Sequence, residues 1–84
     1  MNNENDEQAN RKAQALAQWQ ALLDDEASLL EQPDAHHAAL LEQANELHRL
    51  QLIDRHDLSD LLEQADAAYE YAVEALSQNP LNHG

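Results

Sequence analysis

The sequence predicts an all-α fold: a small three-helix bundle made of a helical hairpin and a third helix. Three observations predict it. The apolar residues are 15 Leu and 15 Ala against one Ile, one Val, one Trp, two Tyr and one Met, with no Phe. β-branched and aromatic residues suit a pleated, half-buried surface, and here they are too few for a sheet. Ala, Leu, Gln and Glu, the dominant types, lose least on entering a helix. The leucines and alanines recur at steps of three and four, the period of one helical face. Finally, the only glycine is Gly84, and the two prolines, Pro33 and Pro80, stand where helices can end.

The first helix is expected over about residues 7–32. Its stripe is Leu16, Trp19, Leu23, Ala27 and Leu30. Pro33 stops it, because the residue before a proline is driven away from helical torsions. The second helix is expected over 34–52, with Asp34 as its N-cap and Leu40, Ala44, Leu47 and Leu50 as its stripe, Leu41 beside them. The third is expected over 54–78. Asp54 can cap it by accepting from the amide of Asp57, whose own carboxylate suits the positive end of the helix. Its stripe is Leu58, Leu62, Ala65, Tyr69, Ala72 and Leu76, widened by Leu61, Ala68 and Val73. The corner between these two helices lacks glycine, so the break rests on Asp54 and on Ile53 packing inward. The domain is thus expected over 8–78, between a disordered acidic tail at 1–7 and a second tail at 79–84. Trp19 and Tyr69 lie on core stripes and are expected inside.

Eighty-four residues make one domain and bury a thin core. Dimerisation is the alternative way of completing it. Leu22 and Leu29 bear on that point. They fall about 60–100° from the first stripe by the helical period. Either the first helix touches both others broadly, or it carries a second apolar surface for a partner.

Composition also excludes classes of function. Four Lys and Arg stand against 17 Asp and Glu, a net charge of -13. Such a chain is repelled by nucleic acids and anionic lipid, and attracted to basic proteins. No apolar run reaches the roughly 18 residues of a membrane span. The opening "MNNENDEQAN" is acidic where a signal peptide is basic and apolar, so a cytoplasmic location is expected. Without cysteine there is no disulfide, thiol chemistry or thiolate metal site.

Candidate chemistry is sparse. His56 and Asp60 are four apart and share a helical face, and His36, His37 and His48 could approach from the second helix. Yet there is no Glu-x-x-His pair of the kind that builds metal sites in bundles, no HExxH and no EF-hand loop. His36 and His37 are expected on a solvated face. Ser59, three residues from His56, is the only serine with a histidine at helical spacing, and no glycine loop can cradle a phosphate. No catalytic residue, metal ligand or cofactor is therefore assigned, and the chain is expected not to be an enzyme.

The most specific feature is an acidic stripe. Asp60, Glu63, Asp66, Glu70 and Glu74 fall within roughly 120° on the wheel of the third helix. Successive carboxylates are about 5–6 Å apart along its axis. No Lys or Arg follows Arg55 to neutralise them. Tyr71 projects near this stripe, an aromatic ringed by carboxylates of the kind that anchors interfaces. The expected function is a small non-enzymatic protein–protein interaction module. It would bind through Asp60, Glu63, Asp66, Glu70, Tyr71 and Glu74, through the surplus apolar residues Leu22 and Leu29, or both. The alternatives are a mimic of nucleic acid that inhibits a DNA- or RNA-binding protein, a metal-binding bundle, and a structural homodimer.

Overall fold

The computed structural model describes residues 3–77, all but a few of them helical. Four helices follow one another: α1 (Asn3–Leu23), α2 (Glu26–Glu31), α3 (Pro33–Arg49) and α4 (Arg55–Ser77). Cross-helix contacts give the topology. Lys12 meets Asp57, Gln20 meets Gln64 and Glu26 meets Tyr71, so α1 and α2 run parallel to α4. Asp34 meets Tyr69 and His37 meets Asp66, so α3 runs antiparallel to it. The fold is a small all-α bundle, up-down-up, with its first helix in two pieces.

That division departs from the continuous helix expected over 7–32. Asp25 is the reason. Its side chain accepts from the Ser28 amide at 3.3 Å and from the Ser28 hydroxyl at 2.8 Å, starting a new helix at Glu26. A carboxylate that caps the next turn offers the backbone an alternative to continuing the old one. The break also re-aims the apolar surface, for Leu29 on α2 is buried to 4 % exposure. At the N-terminus, the expected tail at 1–7 is already helical from Asn3. The tail expected at 79–84 lies outside the described residues.

The second corner falls one residue earlier than expected. α3 begins at Pro33 with Gln32 in the cap position, and Asp34 lies in the first turn instead of capping it. Proline suits that first position because the amide it lacks would have no partner there. α3 ends at Arg49, not at residue 52. Gln51 adopts φ 63°, its amide donates to the His48 carbonyl, and the Leu52 amide donates to the Leu47 carbonyl. This pair of bonds closes a helix end around one left-handed residue. Past it, Ile53 is buried as expected. Asp54 and Asp57 then cap α4 reciprocally: the Asp57 amide donates to Asp54 Oδ1 at 2.8 Å, and the Asp54 amide donates to Asp57 Oδ2 at 3.3 Å.

Trp19, Leu40, Ala44, Ile53, Leu61 and Ala65 form the core. Ala44 and Ala65 have no exposed surface, and side chains this small let α3 and α4 approach closely. Burial on α4 departs from the expected stripe. Leu61, Ala65 and Ala72 are buried and Tyr69 is half-buried, while Val73 and Leu76 are exposed. The helix packs on α1–α2 as well as on α3, so its buried arc turns toward Leu61. Beyond Ala72 it runs past the start of α3.

Candidate functional site

The acidic stripe lies on the outside of α4, where Asp60, Glu63, Asp66, Glu70 and Glu74 are all exposed. Neighbouring residues restrain two of them. Asp66 accepts from His37 Nε2 at 2.8 Å across the α3–α4 seam. Asp60 lies 3.9 Å from His56 Nε2, both well exposed. No bonded partner accompanies Glu63, Glu70 or Glu74 among the described contacts. The cations stand elsewhere. Arg11, Lys12, Arg49 and Arg55 all fall on the N-terminal part of α1, the last turn of α3 and the first turn of α4. The up-down-up path brings those three segments to one end of the bundle. The other end, from Asp24 to Asp34 and from Asp66 to Glu74, carries carboxylates with no Lys or Arg.

At the end that holds the cations, Lys12 Nζ donates to Asp57 Oδ2 at 2.9 Å. That hydrogen bond, reinforced by the opposite charge, lifts the Lys12 ammonium above its ordinary range. The same bond, with help from Asp54, holds the Asp57 carboxyl below its own. Lys12 thus serves the cap of α4 and leaves the acidic stripe unneutralised. Arg49 pairs with Glu46 one turn back on α3.

Tyr71 stands beside the stripe, 51 % exposed. Its hydroxyl donates to Glu26 Oε2 at 2.6 Å, which pushes the phenol above its ordinary value. Between them lies an open groove of about 440 Å³, bounded by the α1–α2 turn and by α4. Leu23, Leu29, Ala67, Ala68 and the ring of Tyr71 line it, with Asp24, Glu26 and Gln64 as its polar edge. The groove could not be read from the sequence, because it exists only where the break at Asp24–Asp25 meets the two alanines of α4.

Leu29, expected as surplus surface, is buried, and Leu22 is half-buried against the core. Broad contact within one chain accounts for both. The histidines at the start of α3 were expected in solvent, and the structure places them otherwise. His36 is 5 % exposed, and its Nε2 donates to the Leu22 carbonyl at 2.7 Å. At the α1 break the Leu22 carbonyl accepts from the Asp25 amide at 3.2 Å, and its second lone pair is open to His36. His36 Nδ1 is buried without a partner. The His37 ring lies 5.0 Å from that of Tyr69, tilted by 45°, and the Tyr69 hydroxyl donates to Asp34 at 2.7 Å.

No group of three or more His, Asp or Glu side chains that could hold a metal ion occurs among the described residues. None of the described helices is long and apolar enough to cross a membrane. Comparison with protein-family models, with curated proteins and with solved structures found no match. Fold and surface chemistry together define a small acidic helical bundle whose carboxylates run its whole length and whose few Lys and Arg residues fall toward one end.

Proposed function

We propose that this chain is a non-enzymatic interaction module of the cytoplasm that docks a basic protein through the acidic face of α4. One observation carries the reading. Glu63, Glu70 and Glu74 stand exposed on one face with no bonded cation among the described contacts, and no Lys or Arg follows Arg55 along that helix. Exposed like charges one turn apart cost stability. A basic partner would relieve that repulsion and gain from it on approach, since complementary fields steer encounter. Tyr71, half-exposed beside the stripe, adds an aromatic contact of the type that concentrates binding energy.

The test is capture of host proteins on the immobilised chain, eluted by a salt step and compared with a Glu70→Lys/Glu74→Lys variant. A specific set of basic proteins that leaves with salt, and that the variant fails to hold, supports the reading. Equal capture by the variant sinks it. Mimicry of a nucleic acid is a narrower form of the same proposal, favoured by the regular spacing of carboxylates along one face. Competition between this chain and DNA or RNA for the captured protein separates the two. A ternary complex excludes the mimic and leaves the docking reading standing.

A further inference from the structure

The groove beside Tyr71 adds something that an acidic face alone does not supply. Its floor is apolar: Leu23 comes from the end of α1, Leu29 from α2, and Ala67 and Ala68 from α4. At about 440 Å³ it has the size of sites that accept a bulky apolar group. Both rims are anionic. Asp24 and Glu26 stand on one side. On the other runs the α4 stripe, since Ala67 and Tyr71 lie within about 60° of Glu70 and Glu74, respectively, on the helical wheel. The nearest Lys or Arg in sequence to any lining residue is Arg55, nine residues before Gln64, at the far end of the bundle.

The stripe from Asp60 to Glu74 extends for about 21 Å at the helical rise. An isolated cation or a small ligand would use only part of that length. A helix of matching length would use all of it, with cations facing the carboxylates and one large apolar residue entering the groove. This is the arrangement by which amphipathic helices are held in grooves. We propose that the Leu23–Leu29–Ala67–Ala68–Tyr71 groove seats the apolar anchor of a basic amphipathic helix belonging to a protein partner. This rests on the acidic-face reading above and names the kind of partner and the place of its anchor. The Tyr71–Glu26 hydrogen bond joins the two walls of the groove, so an entering side chain packs against the tyrosine ring without needing to displace the core.

The test uses three labelled peptides of equal length. The first is a Lys-rich helix with Leu and Trp on one face. The second has the same composition scrambled to destroy that face. The third is oligolysine. Binding is followed by fluorescence anisotropy at low and moderate salt. Three variants accompany the full chain: Ala67→Trp, which fills the groove from an exposed position, Ala67→Ser, which leaves it open, and Glu70→Lys/Glu74→Lys. Circular dichroism establishes that each is folded. The amphipathic peptide is expected to bind at least tenfold tighter than either control. Ala67→Trp should remove that advantage and leave the weak, salt-sensitive binding of the controls, while Ala67→Ser keeps it. If the three peptides bind alike, or Ala67→Trp retains the preference, the groove has no such role, whereas loss of all binding in the charge variant still upholds the acidic face. Failure of every peptide to bind overturns both.

Discussion

The indole Nε1–H of Trp19 donates to the main-chain carbonyl of Leu40 at 2.9 Å, joining the C-terminal part of α1 to the middle of α3 inside the core. Trp19 is 1 % exposed and Leu40 is fully buried. The bond gives the one polar atom of the indole a partner, as a buried Trp requires. It also fixes how the two helices are set along each other, because a carbonyl within a helix offers a direction as well as a charge.

Replacing Trp19 therefore tests two separate terms. Trp19→Ala should cost about 3–5 kcal/mol, the usual range for emptying an aromatic core site. For a chain of this length total stability is about 4–13 kcal/mol, so the variant should lose a large fraction of it and show a clearly lowered urea midpoint. Trp19→Phe keeps most of the packing and loses the hydrogen bond, with an expected cost of about 1–2 kcal/mol. Urea denaturation followed by circular dichroism distinguishes them, and an Ala variant as stable as the Phe variant would show the packing term to be wrong.

The α3–α4 corner was partly legible in the sequence. Asp54 as a cap could be read, because its side chain and the Asp57 amide are three residues apart and no distant contact is needed. Ile53 could be read inward because it is the one apolar β-branched residue in a corner without glycine. The left-handed residue could not, since glutamine carries no preference for that conformation and Gly or Asn would have been its signal. A left-handed torsion costs a residue with a Cβ about 1–2 kcal/mol, and part of a glycine's advantage returns as unfolded-chain entropy. Gln51→Gly should thus stabilise the protein by about 0.5–1 kcal/mol. An unchanged or lowered urea midpoint would contradict the closing geometry around Gln51.

The break between α1 and α2 shows why the first helix read as continuous. Leu23, Ala27 and Leu30 keep the helical period straight across it, so the pattern of burial and the capping signal of Asp25 and Ser28 disagree. The cap prevails because it delivers Leu29 to the interior and turns the Leu22 carbonyl toward His36 as well as the Asp25 amide. Neither consequence is local, and the groove that follows from them was equally out of reach. The acidic stripe, by contrast, depends only on the period of one exposed helix, and its residues stand where the sequence puts them.

Asp25 should impose a pH dependence of known sign. The hydrogen bonds from Ser28, hydroxyl first and then amide, hold its carboxyl below the ordinary 3.8. A carboxyl lowered in the folded state stabilises that state above the unfolded value, and the contribution disappears as pH falls through the folded one. Asp25→Ala should therefore be less stable than the parent by a nearly constant gap between pH 5 and 8, and the gap should close below about pH 4. Measuring the difference between the two proteins removes the relief of repulsion that the other carboxylates contribute to both. A gap that widened on acidification would rule out the cap.

At the alkaline end the two tyrosines should act in the opposite sense. Tyr69 donates to Asp34 and Tyr71 to Glu26, and each hydrogen bond, followed by the charge of its carboxylate, raises the phenol above 10.0. A raised value in the folded state means that the protonated phenol is the form the fold favours. Its contribution is complete below the unfolded value near 10 and is lost as pH rises through the folded one. Both rings reach solvent, so the effect is small for each and best observed as a titration. In the folded protein phenolate absorbance should develop at higher pH than in urea. Tyr71→Phe should remove one of the two delayed ionisations and leave Tyr69 delayed. Glu26→Gln should bring the Tyr71 ionisation back toward the ordinary value, because the amide retains an acceptor and loses the negative charge. Coincident folded and urea titrations would mean that neither tyrosine keeps its carboxylate partner in solution. The Tyr71–Glu26 wall of the groove would then have to be abandoned, whereas the core around Trp19 would stand.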